Sequence, residues 1–314
     1  MAAPPAPPRP LVVPFTKMNG AGNDFVVLDN RFLAFSDAEL AALARRVCPR
    51  RTGVGADGLL ALEAPAADAP PGAHFRMRYY NADGSRATMC GNGARCLARF
   101  ARRAGLEAQP LVFDTDGGRY RADVPADPEA PVRLYVPPPR DFAPTGLRDA
   151  PVPRGGVYRI WTGTEHAVVF TADCEAEDVG AVGGRIRWDG AFRPAGANVD
   201  FVQVVEAGNG GAAHLLARTF EKGVEAETLA CGTGALAAAL AARLAGRIRA
   251  DVVEVEMPGG TLRVAFQLRA PEPPAAGQGA AGQGAAEAVT ALTLEGPAVF
   301  VYEGTLEWRP EASA

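Results

Sequence analysis

One repetition constrains this chain more than any other feature. Cys90-Gly-Asn-Gly-Ala94 recurs 141 positions later as Cys231-Gly-Thr-Gly-Ala235. The same offset of 141 pairs Gly22-Asn23-Asp24 with Gly163-Thr164-Glu165, pairs Gly55-Ala56-Asp57 with Gly196-Ala197-Asn198, and sets Asn81 against Lys222. Gly117-Gly118-Arg119 meets Gly259-Gly260-Thr261 at an offset of 142. Single matches are cheap in a chain with 36 glycines, but a shared offset and order are not. Two homologous lobes related by a pseudo-two-fold are expected, with an active site in the cleft between them and one cysteine turn from each lobe beside it.

Local patterns fill in each lobe. Phe25–Leu28 and Ala167–Phe170 are apolar runs bounded by turn residues and read as strands. Ser36-Asp-Ala-Glu39 has the form of a capping box, and the helix it opens should end before Pro49. Residues 94–104 and 235–245 read as helices closed by Gly105 and Gly246. Val252–Met257 and Thr261–Phe266 read as a hairpin around Pro258-Gly259-Gly260. The expected class is α+β, each lobe a mixed or antiparallel sheet wrapped around a central helix. Residues 11–137 with 298–308 are assigned to the N-terminal lobe and 138–297 to the C-terminal lobe, with Pro137-Pro138-Pro139 as the hinge. The Ala/Pro-rich residues 1–10 read as a disordered tail and 271–287 as a flexible low-complexity loop.

Each repeated cysteine precedes Gly-x-Gly and then good helix formers, which puts its sulfur at a helix N-terminus. Unpaired N–H groups and the helix dipole there favour a thiolate and can also cradle a carboxylate. Two such turns facing one carbon offer a base on one face and an acid on the other, which inversion of a stereocentre requires. No bound electron sink is needed if the helix ends stabilise the developing enolate charge. A cysteine taken alone is usually a packing residue. Cys48, Cys96 and Cys174 lack the Gly-x-Gly context and are assigned to packing.

Composition removes other classes. The net charge of −4 comes without a basic stripe, which argues against nucleic acid. No apolar run approaches a membrane span, and Met1–Pro10 lacks the form of a signal peptide, so a cytoplasmic enzyme is expected. Five cysteines at wide spacing do not make a disulfide framework. With only His74, His166 and His214 and no Cys-x-x-Cys, no metal site is expected. Of 32 basic residues only Lys17 and Lys222 are lysines, which marks both positions.

The motifs resemble diaminopimelate epimerase. The stretches that carry the resemblance are Phe15-Thr-Lys-Met-Asn-Gly-Ala-Gly-Asn-Asp-Phe25, Gly53-Val-Gly-Ala-Asp57, Tyr80-Asn-Ala-Asp-Gly-Ser85, Cys90-Gly-Asn-Gly-Ala-Arg95, Gly196-Ala-Asn-Val-Asp-Phe201, and Phe220-Glu-Lys-Gly through Glu227-Thr-Leu-Ala-Cys-Gly-Thr-Gly234. The resemblance spans about Phe15 to Glu307. It implies a cofactor-independent epimerase, without pyridoxal phosphate, that interconverts LL- and meso-diaminopimelate in lysine and peptidoglycan synthesis. By the same resemblance Cys90 and Cys231 are catalytic, and Gly91, Asn92, Gly232 and Thr233 cradle the reacting carboxylate. Asn23, Asn81, Thr164, Asn198, Glu221 and Lys222 are implied to bind substrate. His166 and Glu221 are implied to tune the thiols, and Tyr302 to support a homodimer.

Three positions depart from the family: Thr164 replaces a common Asn, Lys222 a common Arg, and Gly58 a Gln found in some members. Two other readings compete. One is a racemase of another amino acid on the same fold, differing at Asn81, Thr164, Asn198 and Lys222. The other is a thiol redox protein, against which the missing Cys-x-x-Cys speaks.

Overall fold

The computed structural model describes residues 11–150, 154–208, 211–269 and 289–309. The expected tail at 1–10 and loop at 271–287 lie outside the described residues. In chain order the elements are β1 Leu11–Gly20, β2 Asn23–Asp29, α1 Asn30–Leu33, α2 Asp37–Val47, β3 Gly58–Glu63, β4 Phe75–Asn81, β5 Arg86–Ala87, α3 Gly91–Arg103 and β6 Leu111–Thr115. Next come β7 Gly118–Asp123, β8 Val132–Tyr135, β9 Arg140–Pro144, β10 Val157–Trp161, β11 Glu165–Phe170 and α4 Val179–Arg187. The chain continues through β12 Asn198–Glu206, β13 Ala213–Glu221, β14 Ala226–Thr228, α5 Gly232–Leu244, β15 Val252–Met257, β16 Gly260–Leu268, β17 Val289–Gly296 and β18 Val299–Trp308.

Two compact units result. One holds Met1–Gly20, Asp24–Tyr120 and Ala298–Ala314, and the other Ala21–Asn23 and Arg121–Pro297. In the first, β2 runs parallel to β3 with Phe25 opposite Gly58, β3 antiparallel to β4, and β4 parallel to β6. β1 and β18 form an antiparallel ribbon from Leu11↔Trp308 to Asn19↔Val299, with an irregularity at Lys17/Met18. In the second, β11 runs parallel to β12 with His166 opposite Asn198, β12 antiparallel to β13, and β13 parallel to β15. Both units therefore thread parallel, antiparallel, parallel in the same order, and the sequence repeat is a repeat of topology.

Each unit is organised around one helix. α3 packs on β1, β3 and β4, and α5 on β10, β11, β12, β13, β15 and β16. α5 is apolar all round and its small alanines, Ala235 to Ala242, are fully buried, so strands approach it from several sides. α2 carries the expected capping box, Ser36 and Glu39 each satisfying the other's backbone.

α3 and α5 begin three residues earlier than expected, at Gly91 and Gly232. Low glycine propensity argues against helix there. The cysteine side chain decides otherwise, because each sulfur caps its own helix and draws the Gly-x-Gly turn into the first helical turn. Both helices close as expected, at Gly105 (φ 93°) and Gly246 (φ 72°). The N–H of Leu106 returns to Ala101 and that of Arg247 to Ala242, which completes a Schellman motif in each.

The proline triplet at 137–139 lies within the second unit, and the units divide at Tyr120/Arg121. β8 pairs with β17, Val132 to Tyr135 opposite Gly296 to Thr293, so the chain has joined the second unit well before the prolines. Proline signals a break in local pairing, not the place where packing changes partners.

Candidate active site

In the first unit Cys90 is the N-cap of α3 (φ −142°, ψ 118°) and its Sγ accepts the Gly93 N–H at 3.4 Å. Asn92 is buried in the first turn, and its Oδ1 accepts from Nη2 of the fully buried Arg95 at 2.9 Å. Asn81 ends β4 in a tight turn, its N–H bonded to Ser85 O at 2.8 Å and its Nδ2 to Ser85 Oγ at 3.0 Å. Gly58 pairs with Asn81, and a Cβ there would stand 2.6 Å from Tyr80 O. No side chain fits at this position without moving β4.

The second unit collects the larger group. Cys231 caps α5 (φ −120°, ψ 110°) and is 5% exposed. Its Sγ accepts the Gly234 N–H at 3.3 Å, meets Thr233 Oγ1 at 3.3 Å, and lies 4.0 Å from Asn198 Nδ2. Asn198 Nδ2 also meets His166 Nε2 at 3.4 Å, and its Oδ1 accepts the Lys222 backbone N–H at 2.7 Å. The Lys222 ammonium donates to Glu165 Oε2 at 2.6 Å, which Thr164 Oγ1 also approaches at 3.1 Å. Glu221 ends β13 one residue before Lys222. Ala21, in the turn before Asn23, shares a buried cluster with Ala230, Cys231 and Met257. Thus Asn23, Thr164, His166, Asn198, Glu221, Lys222, Gly232 and Thr233 share a unit with Cys231, and Asn81, Gly91 and Asn92 share one with Cys90.

The helix N-terminus does not leave Cys231 a ready thiolate. Burial pushes its thiol well above the usual range, and the carboxylates of Glu221 and Asp200 push the same way. The hydrogen bonds from Thr233 and Gly234 oppose this without cancelling it. Burial also raises the thiols of Cys48 and Cys96 to about 12 and that of Cys174 to about 11.

Sequence reasoning did not single out Asp200, Thr219 or Glu165. Asp200 is fully buried, with Oδ2 2.7 Å from His166 Nδ1 and Oδ1 accepting Thr219 Oγ1 at 2.8 Å. A Cβ on Gly234 would stand 2.5 Å from that Oδ1, so the second glycine of the turn is there to admit the carboxylate. Its sequence signal was present. Asn198-Val-Asp200 places two polar residues on one face at the start of a strand, next to the apolar Val199, Phe201 and Val202. The two rare lysines also separate. Lys17 is a buried structural cation 2.6 Å from Asp24 and bonded to Gly55 O. Burial alone would raise the Asp24 carboxyl, but hydrogen bonds from Arg50 and Lys17 hold it down to about 2.

Among the described residues no group of three or more His, Cys, Asp or Glu is placed to hold a metal ion. No helix among them is long and apolar enough to cross a membrane.

The sequence profile of the diaminopimelate epimerase family matches residues 15–139 and 158–287. The diaminopimelate epimerase of Chlorobaculum tepidum is 38% identical over 92% of this chain and 99% of its own length. That of Aquifex aeolicus is 39% identical over 77% of this chain and 85% of its own. In three dimensions a Bacillus anthracis phenazine biosynthesis protein of the PhzF family aligns with a TM-score of 0.68 at 15% identity, covering 94% of this chain and 99% of that one. A probable proline racemase from Agrobacterium radiobacter aligns at 0.65 and 18% identity, covering 95% and 94%. These structural likenesses fix the fold, and the sequence matches fix the family: the chain belongs to the diaminopimelate epimerases.

Proposed function

We propose that this protein interconverts LL- and meso-diaminopimelate by proton transfer at the α-carbon between two thiols, without an organic cofactor, in lysine and peptidoglycan synthesis. The observation that carries the reading is the pair of cysteine N-caps, Cys90 and Cys231, at matched positions of a repeated topology in a chain of this family. Cys90, as thiolate, takes the α-proton, and the Cys231 thiol gives its own proton to the opposite face. The enzyme then holds Cys90 thiol and Cys231 thiolate, and the reverse reaction or solvent exchange restores it. Each sulfur takes the N–H of the third helical residue, Gly93 or Gly234. The reacting carboxylate is assigned to the amides that precede them, of Gly91 and Asn92 and of Gly232 and Thr233. Lys222, with Asn81 and Asn198, is assigned to the distal carboxylate, and Asn23, Thr164 and Glu221 to other polar contacts with the substrate. Purified enzyme should convert LL-diaminopimelate to an LL/meso mixture with nothing added. Inertness toward it, with turnover of another amino acid, would move the assignment to a racemase of the same fold.

The working form is read as a cytoplasmic homodimer. Cysteines held as thiols, Cys48, Cys96, Cys174 and Cys231 among them, suit a reducing compartment. On β18, Val299, Val301 and Tyr302 are 41, 54 and 45% exposed, and Tyr302 is held edge-on by Phe15 with ring centroids 6.1 Å apart. Val12, 65% exposed, lies on the β1 strand of the same ribbon. A second copy of the chain is the proposed occupant of this ribbon. Tyr302→Ala should shift the protein from dimer to monomer in sedimentation velocity. A parent protein that sediments as a monomer at micromolar concentration would contradict this.

A further inference from the structure

The Cys231 site rests on a buried chain of hydrogen bonds whose direction can be read from its ends. A backbone N–H only donates, and that of Lys222 donates to Asn198 Oδ1 at 2.7 Å. This fixes the amide, so the group facing His166 is Nδ2, also a donor. His166 Nε2 must then accept, and its proton must sit on Nδ1. The far end gives the same answer, since Asp200 Oδ2, 2.7 Å from Nδ1, is a carboxylate oxygen that only accepts. His166 and Asp200 are fully buried and Asn198 is 4% exposed, so water does not offer substitutes. Thr219 Oγ1 holds the other carboxylate oxygen at 2.8 Å. The remaining amide hydrogen of Asn198 lies toward Cys231 Sγ, 4.0 Å away.

The first unit repeats the cysteine turn without this chain. The offset of 141 sets His166 against Phe25 and Asp200 against Leu59. The chain therefore serves the Cys231 half of the repeat, and the general geometry of a thiol turn does not require it. We infer that Asp200 is a positioning residue, which acts through the tautomer of His166 to aim the Asn198 amide at the Cys231 sulfur. There the amide stabilises the thiolate that forms when Cys231 gives up its proton. At its other end the same amide pins the Lys222 turn. The role assigned to the thiolate rests on the two-thiol mechanism proposed above, but the tautomer does not.

Three histidines make the test direct. In 15N-histidine spectra of the unaltered enzyme, His166 should show a protonated Nδ1 and an unprotonated Nε2. An Nε2–H tautomer or an imidazolium at neutral pH would overturn the chain whatever the activity. Asp200→Asn keeps the volume and removes the obligate acceptor. It should release the Nδ1–H tautomer and lower kcat on the order of a hundredfold, with KM changed by less than about threefold. Folding is monitored by circular dichroism. A folded Asp200→Asn enzyme with kcat within about threefold of the parent would overturn the inference. So would a fall in kcat with the tautomer unchanged, because that is the signature of a merely structural residue. If the parent enzyme fails to epimerise diaminopimelate, the functional reading fails and the tautomer measurement still stands.

Discussion

Replacing either Cys90 or Cys231 by alanine is expected to abolish epimerisation, with kcat falling on the order of 10⁴-fold or more, while the protein stays folded. A positioned general acid or base contributes about 10²- to 10⁴-fold, and here each thiol is needed in every turnover, one to remove the proton and one to return it. The structural cost is small by comparison. Each sulfur accepts one helix N-cap hydrogen bond, at 3.4 and 3.3 Å, and losing such a cap costs about 1 kcal/mol. Thermal unfolding should therefore shift by a few degrees while turnover disappears. Serine at either position keeps a cap, but its hydroxyl ionises far less readily than a thiol and serves neither as the base nor as the acid, so it should rescue stability and not rate. Near-normal turnover in a folded Cys90→Ala or Cys231→Ala enzyme would exclude the two-thiol mechanism.

The second large effect is expected at Lys222. The distal end of the proposed substrate carries a carboxylate. Losing a charge-assisted contact to it in a closed site costs on the order of 2–4 kcal/mol. The pairing of Lys222 with Glu165 at 2.6 Å places this case near the lower limit, since substrate must displace an existing partner. Both members of that pair are partly exposed, at 26 and 44%, so the pair itself contributes little to stability. Lys222→Ala should raise KM by roughly 30-fold, about 2 kcal/mol, with kcat changed much less. Lys222→Arg should keep most activity, because a guanidinium can meet the same carboxylate with two bonds. Unchanged KM in Lys222→Ala would return Lys222 to the surface, and the distal carboxylate would be held by other residues.

The repeat made the topology legible before any coordinates, because homologous halves must bury homologous faces. The two cysteine turns, the capping box at Ser36 and the glycine stops at 105 and 246 were legible for a local reason: each is decided within a few residues of sequence. The first turns of α3 and α5 were not, since glycine propensity says nothing of a sulfur three residues away that can cap the helix. The unit boundary was missed for the opposite reason. It depends on β8 finding β17 more than 150 residues downstream, which no local signal near Pro137 reports. Asp200 shows where motif reading stops in the site. On a strand it looks like a solvent-facing charge, and it is buried because α5 lays Gly234 against it and β11 brings His166 alongside. Burial raises the Cys231 thiol, with the Glu221 and Asp200 carboxylates adding to it, where the helix dipole alone predicted the reverse.

Whether two different thiols serve the two faces of one carbon can be read from the early turnovers in D2O. LL-diaminopimelate is incubated with reduced enzyme, and α-deuterium is followed separately in the remaining LL substrate and in the meso product. Deuterium is expected at the inverted carbon of nearly every product molecule, because the donating thiol has exchanged with solvent, and almost none in unreacted substrate. Product that retains its original α-proton would show one group working on both faces, and would exclude the two-thiol mechanism.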